Sequence, residues 1–126
     1  MSNHFISLAQ AVTMTTVFRA NRESMLVTAM QGNDTLFISE TFDRDAFDTL
    51  LAETGASGLR FYLGMNTNMQ VCIVAVAIDE NGDDILPDPV TLAEPLGGAK
   101  IAELGVHCPP LCPPPPPVGR AGLGGT

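Results

Sequence analysis

Three residues near the C-terminus have the chemistry to bind a metal or form a disulfide: His107, Cys108 and Cys112. Borderline metals take imidazole and thiolate ligands, but no second Cys or His pair follows these three. The flanking prolines favour polyproline II, in which residues four apart lie about 12 Å apart, too far for a disulfide. We therefore predict no metal site. A disulfide involving Cys108 or Cys112 requires a turn between them, or a partner elsewhere in the chain or in a second copy.

Four residues could together bind a small anionic ligand: Arg19, Arg22, Arg60 and Tyr62. Two arginines can hold one carboxylate through charge-assisted hydrogen bonds. The chain also carries 14 acidic residues, so surface ion pairs are the simpler interpretation, and we favour it. The ligand site is kept as the alternative.

The acidic stretch around Asp79, Asn81 and Asp83 resembles part of a calcium-binding loop. An EF-hand loop needs its glycine after the third ligand and a glutamate at position twelve. Here Gly82 precedes Asp83, and position twelve is Val90. We therefore interpret Asn81-Gly82 as a type I′ hairpin turn between two strands.

No arrangement typical of an active site is apparent. The two histidines, His4 and His107, both lie in terminal stretches. The sequence has no nucleophile-elbow motif and no glycine-rich phosphate loop after a strand. We predict no catalytic residue and no cofactor, and we expect the protein not to be an enzyme.

Two helices are predicted to precede a sheet. Ser7 and Gln10 have the spacing of a capping box at the start of the first helix, and whether this helix continues past Asn21 is left open. Asp43 is the expected N-cap of a second helix over residues 44–54, which Gly55 ends.

The segment after the second helix predicts an antiparallel meander. Residues 59–65 alternate between apolar and other side chains, residues 69–78 are nearly all apolar, and residues 84–86 form the returning strand. A central strand that is apolar on both faces needs cover on both. We expect the helices to cover one face, and the C-terminal tail or a second copy to cover the other.

A proline-rich tail is predicted to follow, after one weak helical turn around residues 99–104. The five consecutive prolines favour an extended polyproline II strip about 15 Å long, suited to protein–protein contact: Pro113, Pro114, Pro115, Pro116 and Pro117. The expected architecture is α+β: two N-terminal helices packed on a three- or four-stranded antiparallel sheet, with an extended tail. The expected domain covers residues 1–89, and residues 90–126 form the irregular segment and tail.

Composition excludes several classes of partner. The formal net charge is −8 with a single lysine, which argues against nucleic-acid binding because phosphate contacts need clustered Lys and Arg. The longest apolar run is far shorter than the ~20 residues of a membrane span. Without a recognisable signal peptide, the cytoplasm is the default expectation.

The predicted function follows from the uncovered sheet face. We expect a non-enzymatic, self-associating structural or scaffold subunit, whose sheet face and tail make protein–protein contacts in a homo-oligomer. The alternative is a small binding module for an anionic ligand that uses the clustered arginines.

Overall fold

The computed structural model describes residues 4–87, 100–113 and 123. Within them it has two α-helices, a short 3₁₀-helix and five β-strands, a composition in keeping with an α+β protein. The elements in chain order are α1 (Leu8–Asn21), the 3₁₀-helix (Thr28–Met30), β1 (Ser39–Thr41), α2 (Arg44–Leu51), β2 (Gly58–Met65), β3 (Val71–Ile78), β4 (Asp84–Ile85) and β5 (Val106–Cys108).

The chain divides into two compact units. The terminal unit comprises the residues up to Glu40 together with those from His107 onward, and the sheet unit comprises Thr41–Val106. The chain from His107 onward joins the N-terminal segment because β5 pairs with β1. The domain boundary that the sequence predicts near residue 89 lies outside the described residues and stays a prediction.

The predicted capping box at the start of α1 is confirmed. The Ser7 hydroxyl accepts the Gln10 backbone N–H at 3.1 Å, and the Gln10 side-chain oxygen accepts the Ser7 N–H at 2.8 Å. These bonds satisfy donors that the first helical turn leaves without intrahelical partners. The helix ends at Asn21, and turns lead from there to the 3₁₀-helix.

The sheet unit contains a three-stranded antiparallel sheet in the order β2-β3-β4. The register pairs Gly58 with Ile78 and Met65 with Val71, so β2 and β3 match over their whole lengths. On its other side, β3 pairs with β4 only at Ala77 and Ile78.

The turn between β3 and β4 begins at Asp79, but it is not type I′. The Asp79 carboxylate accepts the N–H groups of Asn81 and Asp83 at 2.9 and 3.0 Å. Among the described residues of this turn, only Gly82 has a positive φ, of 83°, whereas a type I′ turn requires two. The glycine therefore takes the left-handed position after a type I turn. The Asp79 carboxylate thus stabilises the backbone of this turn.

The apolar core of the sheet unit lies between α2 and β3. Leu50 packs on Ala75 and Ala77, and Phe42 stacks on Phe47 with ring centroids 5.5 Å apart. This ring pair is the hydrophobic staple that fixes the chain entering α2. Burial of Leu50 anchors the eight-residue helix, which is too short to be stable by itself.

The predicted layer of two helices on one sheet is wrong. Only α2 shares a unit with the three-stranded sheet, whereas α1 belongs to the terminal unit and buries none of its residues. Its apolar positions alternate with threonines and small residues all round the helix. Such a sequence lacks the continuous apolar stripe that would direct a helix onto a sheet.

The predicted helical turn around residues 99–104 is also absent from the described residues of that stretch. Ala102 instead exchanges two backbone hydrogen bonds with Ala75, at 2.8 and 2.9 Å. This bridge continues the edge of β3 beyond the short β4, so backbone pairing overrides a weak helical preference.

The start of the predicted extended tail is turned. Two cis peptide bonds flank Pro109, the Leu111 N–H donates to the His107 carbonyl at 3.0 Å, and Cys108 and Cys112 form a disulfide. The polyproline II prediction is therefore wrong for residues 108–112. The turn brings the two Cα atoms to 4.6 Å.

Candidate functional site

Three large apolar side chains of β2 are half or more exposed: Phe61 at 52%, Leu63 at 75% and Met65 at 50%. We call them the β2 patch. Because they occupy alternate positions, they share one face of the sheet. This is the face that α2 covers, since the rings of Phe61 and Phe47 meet edge to face with centroids 5.8 Å apart.

The patch is exposed because α2 is too short to cover the whole face. Eight helical residues span about 12 Å, whereas eight strand residues span about 26 Å. The core around Leu50 involves Ala75 and Ala77 at one end of β3. Leu63 and Met65 lie opposite Ile73 and Val71, toward the other end, beyond the reach of the helix.

The outer edge of β2 runs alongside the patch. Ala75 directs its N–H and C=O groups toward Ala102, away from β2. Its partner Phe61 must then direct its own backbone groups away from β3. The same holds for every second residue, and within the described residues no strand pairs with this edge. Leu59, Phe61, Leu63 and Met65 therefore present both apolar side chains and open backbone groups.

The opposite face of the sheet carries a polar cluster. Arg60 and Tyr62 both donate hydrogen bonds to the Asp84 carboxylate. The hydrogen bond from Tyr62 has the largest effect on the pKa of Asp84 and lowers it; burial opposes this, and the hydrogen bond and charge of Arg60 lower the pKa further. Because Asp84 accepts the hydrogen bond from the Tyr62 hydroxyl, it raises the pKa of Tyr62. The cluster thus favours a neutral tyrosine beside an ionised carboxylate.

For this face the sequence predicts cover by the C-terminal tail or a second copy, and its burial within a single chain does not require the second copy. Val76 lies opposite Arg60 in the register and is only 2% exposed, and Cys72 on the same face is also buried. Both faces of the central strand are therefore buried within one chain over part of its length. An exposed apolar surface of this sheet lies on β2, at the far end of the helix-covered face.

The four residues predicted to bind an anion make contacts within the protein. Arg60 and Tyr62 converge on a carboxylate, but it belongs to Asp84 of the same chain. The sequence contains a signal for this contact. If the chain returns after Asp79 and β4 pairs with β3, then Arg60, Tyr62 and Asp84 all lie on the same face of the sheet.

The other two arginines lie in the terminal unit. Arg22 donates to the Leu36 carbonyl at 2.9 Å and lies 3.1 Å from the Asp34 carboxylate. Arg19 donates to the Leu123 carbonyl and to the Thr16 hydroxyl. Each arginine of the predicted set thus has a partner in its own unit.

The residues proposed for metal or disulfide chemistry form a compact arrangement beside β1. Cys108, joined to Cys112, is fully buried. The His107 Nε2 atom lies 2.7 Å from the Glu40 carboxylate, and its ring stacks on Phe37 at 5.0 Å. Because both cysteines form the disulfide, neither has a thiolate that could bind a metal. Over the part of the chain that the structure describes, no group of three metal-binding side chains comes together.

A cavity of about 410 Å³ lies in the sheet unit between α2 and residues 100–106. Leu50 lies at its apolar side, and its charged lining residues are Asp43, Asp45, Glu103 and Lys100. Three acids against one lysine make this cavity unfavourable for the anionic ligand of the alternative prediction.

The predicted interaction strip falls almost entirely outside the described residues. Pro113 is described and exposed, whereas Pro114, Pro115, Pro116 and Pro117 lie outside them. The contact role of the five prolines therefore stays a prediction.

Within the described ranges, neither helix combines the length and the apolar character that crossing a membrane requires. Comparison with known protein families, curated proteins and solved structures gives no match to this chain.

Proposed function

We propose that this protein is a non-enzymatic, self-associating structural subunit that makes protein–protein contacts through its sheet. The observation that carries the proposal is the β2 patch: Phe61, Leu63 and Met65, each at least half exposed on one face. Together they expose on the order of 300 Å², comparable with the largest apolar patch of a typical monomer, which is often functional.

The edge next to the patch supports the same proposal. Natural edge strands are usually kept from pairing by shortness, proline, lysine or a bulge. β2 has eight residues and neither proline nor lysine. The opposite edge of the sheet is protected, because β4 has two residues and Ala102 bridges Ala75 beyond it.

The charge distribution favours a second copy at this surface. The chain carries a net charge of −8, which makes two copies repel each other over most of their surfaces. β2 itself contains one charged residue, Arg60, which is paired with Asp84. Like-charge repulsion is therefore weak at the β2 patch.

The test is the molar mass in solution as a function of concentration, measured by light scattering after gel filtration. The wild-type chain should exceed the monomer mass as concentration rises, and Leu63→Glu should remain monomeric because it places a carboxylate in the patch. Leu63 is 75% exposed, so this variant should still fold, which circular dichroism checks.

Leu104→Glu is the matched control, because Leu104 is 87% exposed in the same unit but outside β2. It should associate like the wild type. A wild-type chain that stays monomeric at the highest attainable concentration would refute the proposal, as would equal association of the two variants.

A further inference from the structure

We infer that two copies pair through their β2 edges, antiparallel about a twofold axis at Tyr62, to form one continuous six-stranded sheet. This inference rests on the proposed self-association and adds its geometry. A twofold contact uses the same surface on both copies and closes after two subunits. Since the other edge of the sheet is short, the expected assembly is a dimer.

The register follows from which backbone groups are open. Only odd-numbered residues of β2 direct their N–H and C=O groups outward, so antiparallel pairs must join odd residues to odd residues. An axis at Tyr62 pairs Phe61 with Leu63 of the second copy and Leu59 with Met65 of the second copy. Every outward-bonding residue of β2 then has an outward-bonding apolar partner.

In the neighbouring registers, fewer apolar residues of β2 lie opposite apolar residues of the second copy. An axis at Phe61 would place Met65 opposite the polar Ser57 of the second copy, outside β2. An axis at Leu63 would place Leu59 opposite Thr67 of the second copy, in the turn. Both registers leave an apolar residue of β2 beside a polar one.

Charge and side-chain size favour the same axis. With the axis at Tyr62, Arg60 lies opposite Gly64 of the second copy, where no side chain occupies the space. The two Arg60 residues are then four positions apart along the pair, about 13 Å. An axis at Phe61 would halve that separation and bring the two guanidinium groups closer.

The arrangement predicts a specific cross-link. Tyr62 would face Tyr62 of the second copy in a non-hydrogen-bonded pair, for which the Cα atoms are about 4.5 Å apart. That separation lies within the range of a disulfide. Tyr62→Cys should therefore link to itself under a mild oxidant, and most of the protein should run as a covalent dimer without reductant.

Arg60→Cys is the matched control. Residue 60 lies on the same face as residue 62, but in this register it is far from residue 60 of the second copy. It should remain largely unlinked, and peptide mapping should locate the link at position 62 rather than at Cys72, Cys108 or Cys112.

The outcomes separate the two proposals. A protein that is monomeric by light scattering refutes self-association itself. A dimer in which position 60 links faster than position 62 overturns the register. A dimer in which neither position links overturns pairing through β2 while self-association stands.

Discussion

The two units of this chain are stabilised in different ways. The described buried residues of the sheet unit are apolar, namely Leu50, Cys72, Ala75, Val76 and Ala77. In the terminal unit, the described buried residues are Thr35, whose hydroxyl donates to the Met30 carbonyl, and the disulfide-bonded Cys108.

This difference shows how a short chain can organise two regions with little apolar material. The sheet unit removes apolar surface from water, which is the dominant favourable term in folding. The terminal unit relies on directed contacts instead, including Arg22 with Asp34 and His107 with Glu40. We therefore expect the sheet unit to respond most to changes in side-chain volume, and the terminal unit to respond to reduction.

The largest expected effect is that of Leu50→Ala in the sheet unit. Leu50 is 1% exposed and packs between α2 and β3, so the variant leaves a cavity and should lower the free energy of unfolding by about 3 kcal/mol. Denaturant unfolding can be followed by tyrosine fluorescence, because the chain has one tyrosine, on β2, and no tryptophan.

Leu51→Ala is the control for volume, because the neighbouring leucine is 47% exposed. Its effect should stay within roughly 0.5 to 1 kcal/mol, as for a substitution outside the core. Equal losses for Leu50→Ala and Leu51→Ala would contradict the distinction between a packed sheet unit and its surface.

A smaller effect is expected from removing the disulfide of the terminal unit. Its loop is short, so the loss from Cys108→Ala with Cys112→Ala should be about 2 kcal/mol. The Ile38 N–H donates to the Cys108 carbonyl at 2.6 Å, and its protection from hydrogen exchange should fall roughly thirtyfold, since 1.4 kcal/mol is a factor of ten.

Dithiothreitol separates the disulfide from the substitutions themselves. It should lower Ile38 protection in the wild type and have no further effect on the double variant, while the amides of β3 should respond least. If reductant left Ile38 protection unchanged in the wild type, the disulfide would not be what stabilises this pairing.

The sequence identifies locally encoded features better than those set by distant pairing. The Ser7–Gln10 capping box, for example, depends on residues only three positions apart. The position of Ala102 beside Ala75, and of β5 beside β1, depends on where a long connection returns, which no local pattern specifies. The polyproline prediction for residues 108–112 failed because a disulfide and a turn override the local preference.

The candidate site illustrates the same limit. Alternation correctly places Phe61, Leu63 and Met65 on one face, but their exposure depends on how far α2 reaches, and the sequence predicts a longer helix over residues 44–54. The Arg60–Asp84 contact needs the register of β4, which the acidic turn leaves ambiguous. Strand patterns therefore predict faces, while tertiary packing decides which part of a face is open.

The smallest expected effect concerns the Arg60–Tyr62–Asp84 cluster, and it depends on pH. The folded-state pKa of Asp84 is lowered, so its contribution to stability is present above the unfolded pKa of about 3.9 and is lost as pH falls through the folded value. The pKa of Tyr62 is raised, so its contribution is present below about pH 10 and is lost as pH rises through the folded value. The cluster should thus stabilise the sheet unit across neutral pH and fail at both extremes.

Asp84→Asn tests both limbs of this pH dependence. The variant should be less stable than the wild type near pH 7, and the difference should shrink on acidification because protonation removes the same carboxylate charge. An ultraviolet titration of the single tyrosine should give a lower pKa for Tyr62 in the variant, since the carboxylate that accepts its hydrogen bond is gone. Asp83→Asn, one residue away and outside the cluster, should leave the titration unchanged. Identical Tyr62 titrations in the wild type and Asp84→Asn would mean that the hydrogen bond between Tyr62 and Asp84 does not hold in solution.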